Sequence, residues 1–297
     1  MRARQLEVFT AVMRAGSVTG AARMLNISQP ALSQILRHLE DELGFLLFAR
    51  EKGRLQATPE ALELFPQADR LSGELEGLRR KAADLKLGRT GLVRVGASTP
   101  PAMSILPRVF LDFRARHPGV ALRSVVAPLQ SLLVMLREGD TAMAIALSDR
   151  ADTDTEIEVL GRTQFCCLLP EGHELGAMQS IGFGDLAGEY LMSYRGGTQP
   201  YDELDQAARS AGQVFAPTME IDNSISVVGF VQAGLGVALV DALLPWDQFP
   251  GVLVRPLAEE PSLPLSLFSL RGRNFSQAEV QMRAQIKMHC SALEPAT

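Results

Sequence analysis

SVTGAARMLNISQPALSQILRHLEDELG, residues 17–44, reads as two short helices joined by a tight turn. Ser17 is a good N-cap for a helix from about Val18 to Leu25. Asn26 and Ile27 turn the chain. Ser28 then caps a second helix, with Pro30 in the first turn, where a missing N–H costs nothing. In that second helix Leu32, Ile35, Leu36, Leu39 and Leu43 form one apolar stripe at the helical period. A rotation of about 100° per residue places Gln29, Pro30, Ser33, Gln34 and Arg37 on the opposite side. Amide, hydroxyl and guanidinium groups there suit base edges and phosphates. A merely solvated helical hairpin would carry Glu/Lys pairs on that face, whereas here acids begin only at Glu40. Small residues at Gly20, Ala21 and Ala22 allow the two helices to approach closely. The segment is therefore expected to be a helix-turn-helix.

The surrounding chain is too long for one module. Its 297 residues, 46% of them apolar, fit two or three domains with sizeable cores. No uninterrupted apolar run is long enough to span a bilayer. The opening MRARQLEVF reads as an amphipathic helix, not a signal peptide, so the chain is expected in the cytoplasm. Cys166, Cys167 and Cys290 lack metal spacing and an even count, and read as reduced, buried or half-buried thiols and not as a redox switch. The net charge of −5 conceals a division: residues 1–89 carry +3 and residues 90–297 carry −8. The basic excess coincides with the segment expected to meet DNA.

Working outward, a helix from about Arg4 to Ala15 carries Leu6, Phe9, Val12 and Met13 on one face and stops at Gly16. After Gly44, FLLFAREKGRLQAT reads as a β-hairpin wing with Arg50, Lys52 and Arg54 near its tip, suited to phosphates. Thr58 and Pro59 then open a long helix. Leu64, Ala68, Leu71, Leu75, Leu78, Ala82 and Leu85 recur there at alternating spacings of four and three, the seam of a coiled coil. Such a seam pairs two chains or packs on another helix of the same one. Pro66 should cost about 3 kcal/mol or kink that helix, so the regular seam is expected to begin after it.

Beyond Gly91 strand-like runs alternate with amphipathic helices. LVRVGA (92–97), VALRSVVA (120–127) and AMAIAL (142–147) make one α/β unit. FCCLLP from about 165, YLMSY (190–194), TMEID (218–222) and GVALVD (236–241) make a second. LPLSLFSL (263–270) reads as a returning strand, and a last helix runs from about Ser276 to His289. Two α/β lobes joined by two crossings would leave a cleft between them.

These residues resemble one family over nearly the whole length, the LysR-type transcriptional regulators. The resemblance rests on Phe9, Gly16-Ser17, Ala21-Ala22, Leu25, Ser28-Gln29-Pro30-Ala31-Leu32-Ser33, Leu39-Glu40, Leu43-Gly44, Leu47-Phe48 and Arg50. It implies an α winged helix-turn-helix with a dimerising linker helix, followed by an α/β two-lobed effector domain like periplasmic binding proteins. The expected boundaries are 1–58, 59–89 and 90–297, with lobe 1 at about 90–163 and 267–297 and lobe 2 at about 164–266. Such proteins usually form tetramers on interrupted inverted repeats near promoters. RQLEVFTAVMRAGSVTGAA, GRLQATPEA and QAGLGVALVDAL are similar to the branch holding lysine-biosynthesis and opine-catabolism regulators. That implies an amino-acid-like or carboxylate effector.

The DNA-binding candidates are Gln29, Pro30, Ser33, Gln34 and Arg37 on the helix, with Arg50, Lys52 and Arg54 on the wing. The family places its effector between the lobes. Ser98 and Thr99 end the first strand there and suit a carboxylate, although Pro100 and Pro101 remove two donors. Pro128 and Leu129 hint at an apolar wall. Ser148, Ser193, Tyr194, Arg195, Asn223 and Ser224 complete the candidate rim, with Arg195 as an anion clasp. Read alone, each could be an ordinary cap or turn residue. An enzyme is not expected: the four histidines are scattered, and GxSxG, P-loop and dinucleotide fingerprints are absent. No cofactor or metal is expected. The partners are promoter DNA, a small-molecule effector, a second copy of the chain and RNA polymerase, but no membrane. The alternative, a cytoplasmic small-molecule binding protein without DNA function, leaves the first 58 residues unexplained.

Overall fold

The computed structural model describes residues 1–51, 54–86 and 91–291; the side chains of residues 50, 51, 54, 80, 81 and 83–86 lie outside the description. The chain divides into two compact units. One comprises residues 1–88 with the short segment 137–140, the other 89–136 with 141–297.

In the first unit, α1 (Ala3–Ala15), α2 (Val18–Met24) and α3 (Gln29–Leu43) precede a two-stranded ribbon, β1 (Phe48–Glu51) and β2 (Arg54–Ala57), and a long α4 (Pro59–Lys86). Local chemistry sets each boundary. Gly16 and Gly44 end α1 and α3 in the left-handed conformation that glycine adopts without strain. Asn26, with φ of 51°, makes the turn between α2 and α3. The Ser17 hydroxyl accepts from the Gly20 N–H at 3.1 Å, and the Ser28 hydroxyl from the Ala31 N–H at 3.4 Å. Thr58 caps α4 by accepting from the Ala61 N–H at 3.2 Å. The core joins Phe9 and Val12 to Ala21, Leu32, Leu36, Leu39 and Leu47.

Burial of α1 extends beyond the expected stripe to Gln5, Glu7, Val8, Thr10 and Ala11. The reason is that α4 covers its other side. Glu7 there pairs with Arg4 at 2.8 Å and with Arg79 of α4 at 2.5 Å. Helix α4 is continuous through Pro66, and its packing begins before that residue: Ala61 is fully buried. Proline supplies no N–H to the carbonyl four residues back, at Leu62. Pro66→Ala should therefore stabilise the chain by up to about 3 kcal/mol, seen as a higher denaturant midpoint. An unchanged midpoint would mean that packing of the ring offsets the missing bond.

The second unit holds β3 (Leu92–Ala97), α5 (Thr99–Ser104), α6 (Leu106–Arg116), β4 (Ala121–Val126), α7 (Leu129–Arg137), β5 (Met143–Ala146), β6 (Thr155–Pro170), β7 (Leu191–Tyr194), α8 (Gln199–Ser210), β8 (Met219–Ile221), α9 (Val227–Gln232), β9 (Val237–Asp241), β10 (Val252–Pro256), β11 (Ser262–Leu270) and α10 (Gln277–Cys290). The strand order is β4-β3-β5-β11-β6-β9-β7-β8, with β10 also on β6. Parallel β4-β3-β5 form lobe 1, closed by antiparallel β11; parallel β8-β7-β9 form lobe 2.

Strand β6 belongs to both lobes. Its first part, Thr155–Gln164, pairs with β11, and its last part, Phe165–Pro170, pairs with β9 and β10. The run FCCLL is apolar throughout because lobe 2 is covered on both faces. Phe165, Cys167 and Leu169 enter one core, while Cys166 and Leu168 enter the other. All three cysteines are free and buried, and burial pushes the Cys167 and Cys290 thiols up to about 12 and 11. No helix among the described residues is long and apolar enough to cross a membrane.

Candidate functional site

On α3 the residues expected to meet DNA lie outside the core: Gln29, Pro30, Gln34 and Arg37 are exposed and Ser33 is half-buried. Gln29, Ser33 and Arg37 are spaced by four, so they share one exposed stripe. The Gln29 side-chain amide donates to the Ser33 hydroxyl at 3.0 Å, and the Arg37 Nε donates to the Ser33 carbonyl at 3.4 Å. Ser33 thus holds its two longer neighbours along the helix surface. Glu40, one turn further, ties α3 to the ribbon by accepting from the N–H groups of Leu47 and Phe48 at 2.8 and 3.1 Å. Lys52 and the side chains of Arg50 and Arg54, the expected phosphate contacts, lie outside the described residues.

In the second unit, the carboxyl ends of β3, β4 and β5 in lobe 1 and of β7 and β8 in lobe 2 carry the remaining candidates. Open α/β sheets bind their ligands beyond such strand ends. One pair of candidates meets directly across the lobes: the Asn223 side-chain amide donates to the Thr99 hydroxyl at 2.8 Å. Next to each partner lies a serine with a buried hydroxyl, Ser98 before α5 and Ser224 in the 3-10 turn Ser224–Ser226; that of Ser98 has no hydrogen-bond partner. That turn packs on α5. A buried polar atom without a partner costs about 1–3 kcal/mol, which applies to Ser98; the Ser224 hydroxyl faces Asp241 and Tyr194. Helix α5 has only six residues, and prolines at two of its first three positions leave few N–H groups to hold an anion.

A second link between lobes starts at Ser148. Its hydroxyl donates to the Gln199 side-chain oxygen at 2.7 Å. The same oxygen accepts from the Asp149 N–H at 3.2 Å, while the Gln199 amide donates to the Asp149 carboxylate at 2.8 Å. Arg150 and Asp202 pair beside it at 2.6 Å. Sequence reasoning named Ser148 but missed Gln199; the only signal was a polar residue before Pro200 at a helix start.

Other candidates are placed elsewhere. Ser193 is fully buried and donates to the Leu239 carbonyl at 2.7 Å, an interstrand role. Arg195 is exposed and paired with exposed Asp222 at 2.7 Å, so an anion clasp would first have to break a weak surface pair. Pro128 is exposed, and Leu129 packs on the core of Leu132, Leu136 and Phe268.

Tyr194 leads to a group that sequence reasoning passed over. Its hydroxyl donates to the Asp241 carboxyl at 2.7 Å and accepts from the Asp241 N–H at 3.1 Å. Asp241 ends β9, is fully buried, and also accepts from the Leu243 N–H at 3.2 Å. Burial raises its pKa; Tyr194, the adjacent Ser224 hydroxyl and the Leu243 N–H offset this only in part. Burial, and then the Asp241 charge, pushes Tyr194 well above the usual phenol range.

The sign of that shift gives a test. A carboxyl with a raised folded pKa is undisturbed in acid and costs stability as pH rises from its unfolded value through its folded value. Asp241→Asn should therefore melt near the parent at pH 4 and progressively above it towards pH 8. A gap that closes as pH rises would contradict the assignment. Among the described residues, no group of three His, Cys, Asp or Glu side chains is placed to hold a metal.

Residues 3–62 match the model of the bacterial regulatory helix-turn-helix protein, lysR family, and residues 86–291 match the LysR substrate binding domain. The chain is 34% identical to the regulatory protein NocR of Agrobacterium fabrum (strain C58 / ATCC 33970) over 81% of its length and 80% of the relative's. It is 30% identical to the transcriptional activator protein LysR of Escherichia coli K12, over 90% of each. Two solved structures share the fold. The LysR family regulator CbnR has a TM-score of 0.66 at 18% identity, over 98% of this chain and 99% of that one. A full-length OxyR variant from Pseudomonas aeruginosa has a TM-score of 0.63 at 21% identity, over all of both chains.

Proposed function

The chain belongs to the LysR family of DNA-binding transcriptional regulators, and from that premise we propose that an amino-acid-like carboxylate, bound between the lobes at Ser98–Thr99 and Asn223–Ser224, sets its activity at promoters. The observation that carries this is the Thr99–Asn223 contact bridging the lobes, with the buried Ser98 hydroxyl, which has no hydrogen-bond partner, beside it. A carboxylate supplies acceptors for such donors. Gln29, Ser33, Gln34 and Arg37 would read base edges with Pro30 beside them, while Arg50, Lys52 and Arg54 would hold phosphates.

Leu71 and Leu78, seven residues apart on α4, remain 46% and 64% exposed in the single chain. Their exposure supports pairing of two copies along this helix, which would present two recognition helices to two half-sites. Ligand-dependent closure of the lobes would then alter how the copies assemble on DNA, and with it access of RNA polymerase. In this reading the protein works in the cytoplasm, assembles as a dimer or tetramer and catalyses no reaction.

Thermal denaturation of the full chain against amino acids, N-carboxyalkyl amino acids and aromatic or aliphatic acids tests the ligand. A saturable rise with amino-acid-like compounds, lost in the Ser98→Ala/Thr99→Val variant, is the expected result. Stabilisation by aromatic acids alone would contradict it and turn attention to Pro128 and Leu129.

A further inference from the structure

We infer that Asp241 is the counter-ion for a protonated nitrogen of the effector, with Tyr194 and Ser224 completing the subsite, so that the ligand is a zwitterion and not a simple acid. This rests on the effector reading above and adds the ligand's charge pattern to it.

Asp241 closes β9, Tyr194 closes β7 and Ser224 opens the turn three residues beyond β8, so the carboxyl ends of three neighbouring strands of lobe 2 converge on one place. All three side chains are more than nine-tenths buried. Two hydrogen bonds reach the carboxyl group, one to each oxygen: Tyr194 on Oδ2 and Leu243 N–H on Oδ1. A carboxylate has about four lone-pair sites, so each oxygen retains capacity for another donor.

Among the described residues no lysine, arginine or histidine forms an ion pair with Asp241. The nearest cation along the chain from Tyr194, Arg195, points to Asp222 instead. A buried carboxyl without a cation is costly, and a fold needing only a turn-closing acceptor at this place could use asparagine. The buried Ser224 hydroxyl faces Asp241 and Tyr194 and lies one residue from the Asn223–Thr99 contact that bridges the lobes. Opening that contact would join the Asp241 subsite to Ser98–Thr99. The combined site then offers an acid for a cationic nitrogen and hydroxyls for a carboxylate, the two ends of an amino acid.

Isothermal titration of the full chain provides the test. The probes are L-amino acids and N-carboxyalkyl amino acids, each paired with an analogue lacking the positive nitrogen. Those analogues are the 2-hydroxy acid, which replaces the α-ammonium of an amino acid, and the ether-linked dicarboxylate, which replaces the secondary ammonium of an N-carboxyalkyl amino acid by oxygen. The expected result is that a zwitterion binds and its neutralised analogue binds at least about thirtyfold more weakly, as for loss of one partner of a buried charge pair. In Asp241→Asn that discrimination should fall below about threefold. Ser224→Ala, a smaller change that keeps the carboxyl, should weaken the zwitterion more than its analogue. A merely structural Asp241 would weaken every probe alike on substitution, and that outcome overturns the assignment. It also falls if simple carboxylic acids bind as well as zwitterions, although the interlobe effector reading would survive. Binding by no probe would overturn both.

Discussion

Replacing Gln29 and Arg37 together with alanine is expected to abolish sequence-selective DNA binding while leaving ligand-induced stabilisation unchanged. Both side chains project from α3 on the stripe organised by Ser33. Neither belongs to the core that holds α3 against α1, so the fold should tolerate their removal. A good bidentate contact is worth about 1–3 kcal/mol of discrimination between bases, and two such contacts would remove about 2–6 kcal/mol. Non-specific affinity should fall much less, because Arg37 is one cation among several. Fluorescence anisotropy on a selected site and on scrambled DNA, across a salt series, separates the two effects. Equal losses on both DNAs would assign these residues to the backbone and not to the bases.

Phe9→Ala carries the largest expected structural effect. Phe9 is almost completely buried where three elements meet: its ring lies 6.1 Å from that of Phe48 on β1 and 6.4 Å, edge-on, from that of Phe65 on α4. Removing a buried phenylalanine costs about 3–5 kcal/mol, because the cavity adds to the lost transfer energy. Here the loss would release the ribbon and α4 from the helix that supports them. Site-specific DNA binding should disappear at temperatures where the parent still binds, while ligand stabilisation of the second unit persists. Simultaneous loss of both activities would contradict a division of labour between the units.

The first unit was largely legible in the sequence because each of its boundaries is a local event. Ser17, Ser28 and Thr58 cap, Gly16 and Gly44 terminate, and the stripe from Leu32 to Leu39 has no competing period. What escaped was the second face of α1, since Gln5, Glu7 and Thr10 look solvated until α4 is placed against them.

In the second unit the short apolar strands β3, β5, β7 and β9 announced themselves, whereas the first half of β6 did not. Its charged residues find partners only through tertiary pairing: Arg283 of α10 reaches Glu158 at 2.8 Å and Lys287 also pairs with it, while Arg162 donates to the Ser262 hydroxyl and carbonyl on β11 at 2.7 and 2.9 Å. Strand β10 was missed because five residues ending in Pro256 give little periodic signal.

The cleft was legible as a place but not as a set of roles. Caps and turn residues mark strand ends, so Ser98, Thr99, Asn223 and Ser224 could be named from the chain alone. The direction of each side chain depends on tertiary packing. Ser193 and Tyr194 are neighbours in one strand, yet one serves the β9 backbone and the other a buried acid. Asp241 was hidden for the same reason: at the end of GVALVD it looks like a residue leaving a strand for solvent. Gly236 in the same motif also has a purely tertiary cause. A Cβ there would come within 2.1 Å of the Tyr190 carbonyl oxygen, so glycine lets β9 lie close to the chain entering β7.

The most direct test of the account is selection of genomic DNA fragments by the full chain, followed by sequencing, in parallel with the Gln29→Ala/Arg37→Ala variant. The account predicts that the parent enriches one interrupted inverted repeat, with half-site centres about 10 base pairs or a multiple apart, and that the variant enriches none. Recovery of fragments without a shared sequence, or of the same repeat by the variant, would contradict it.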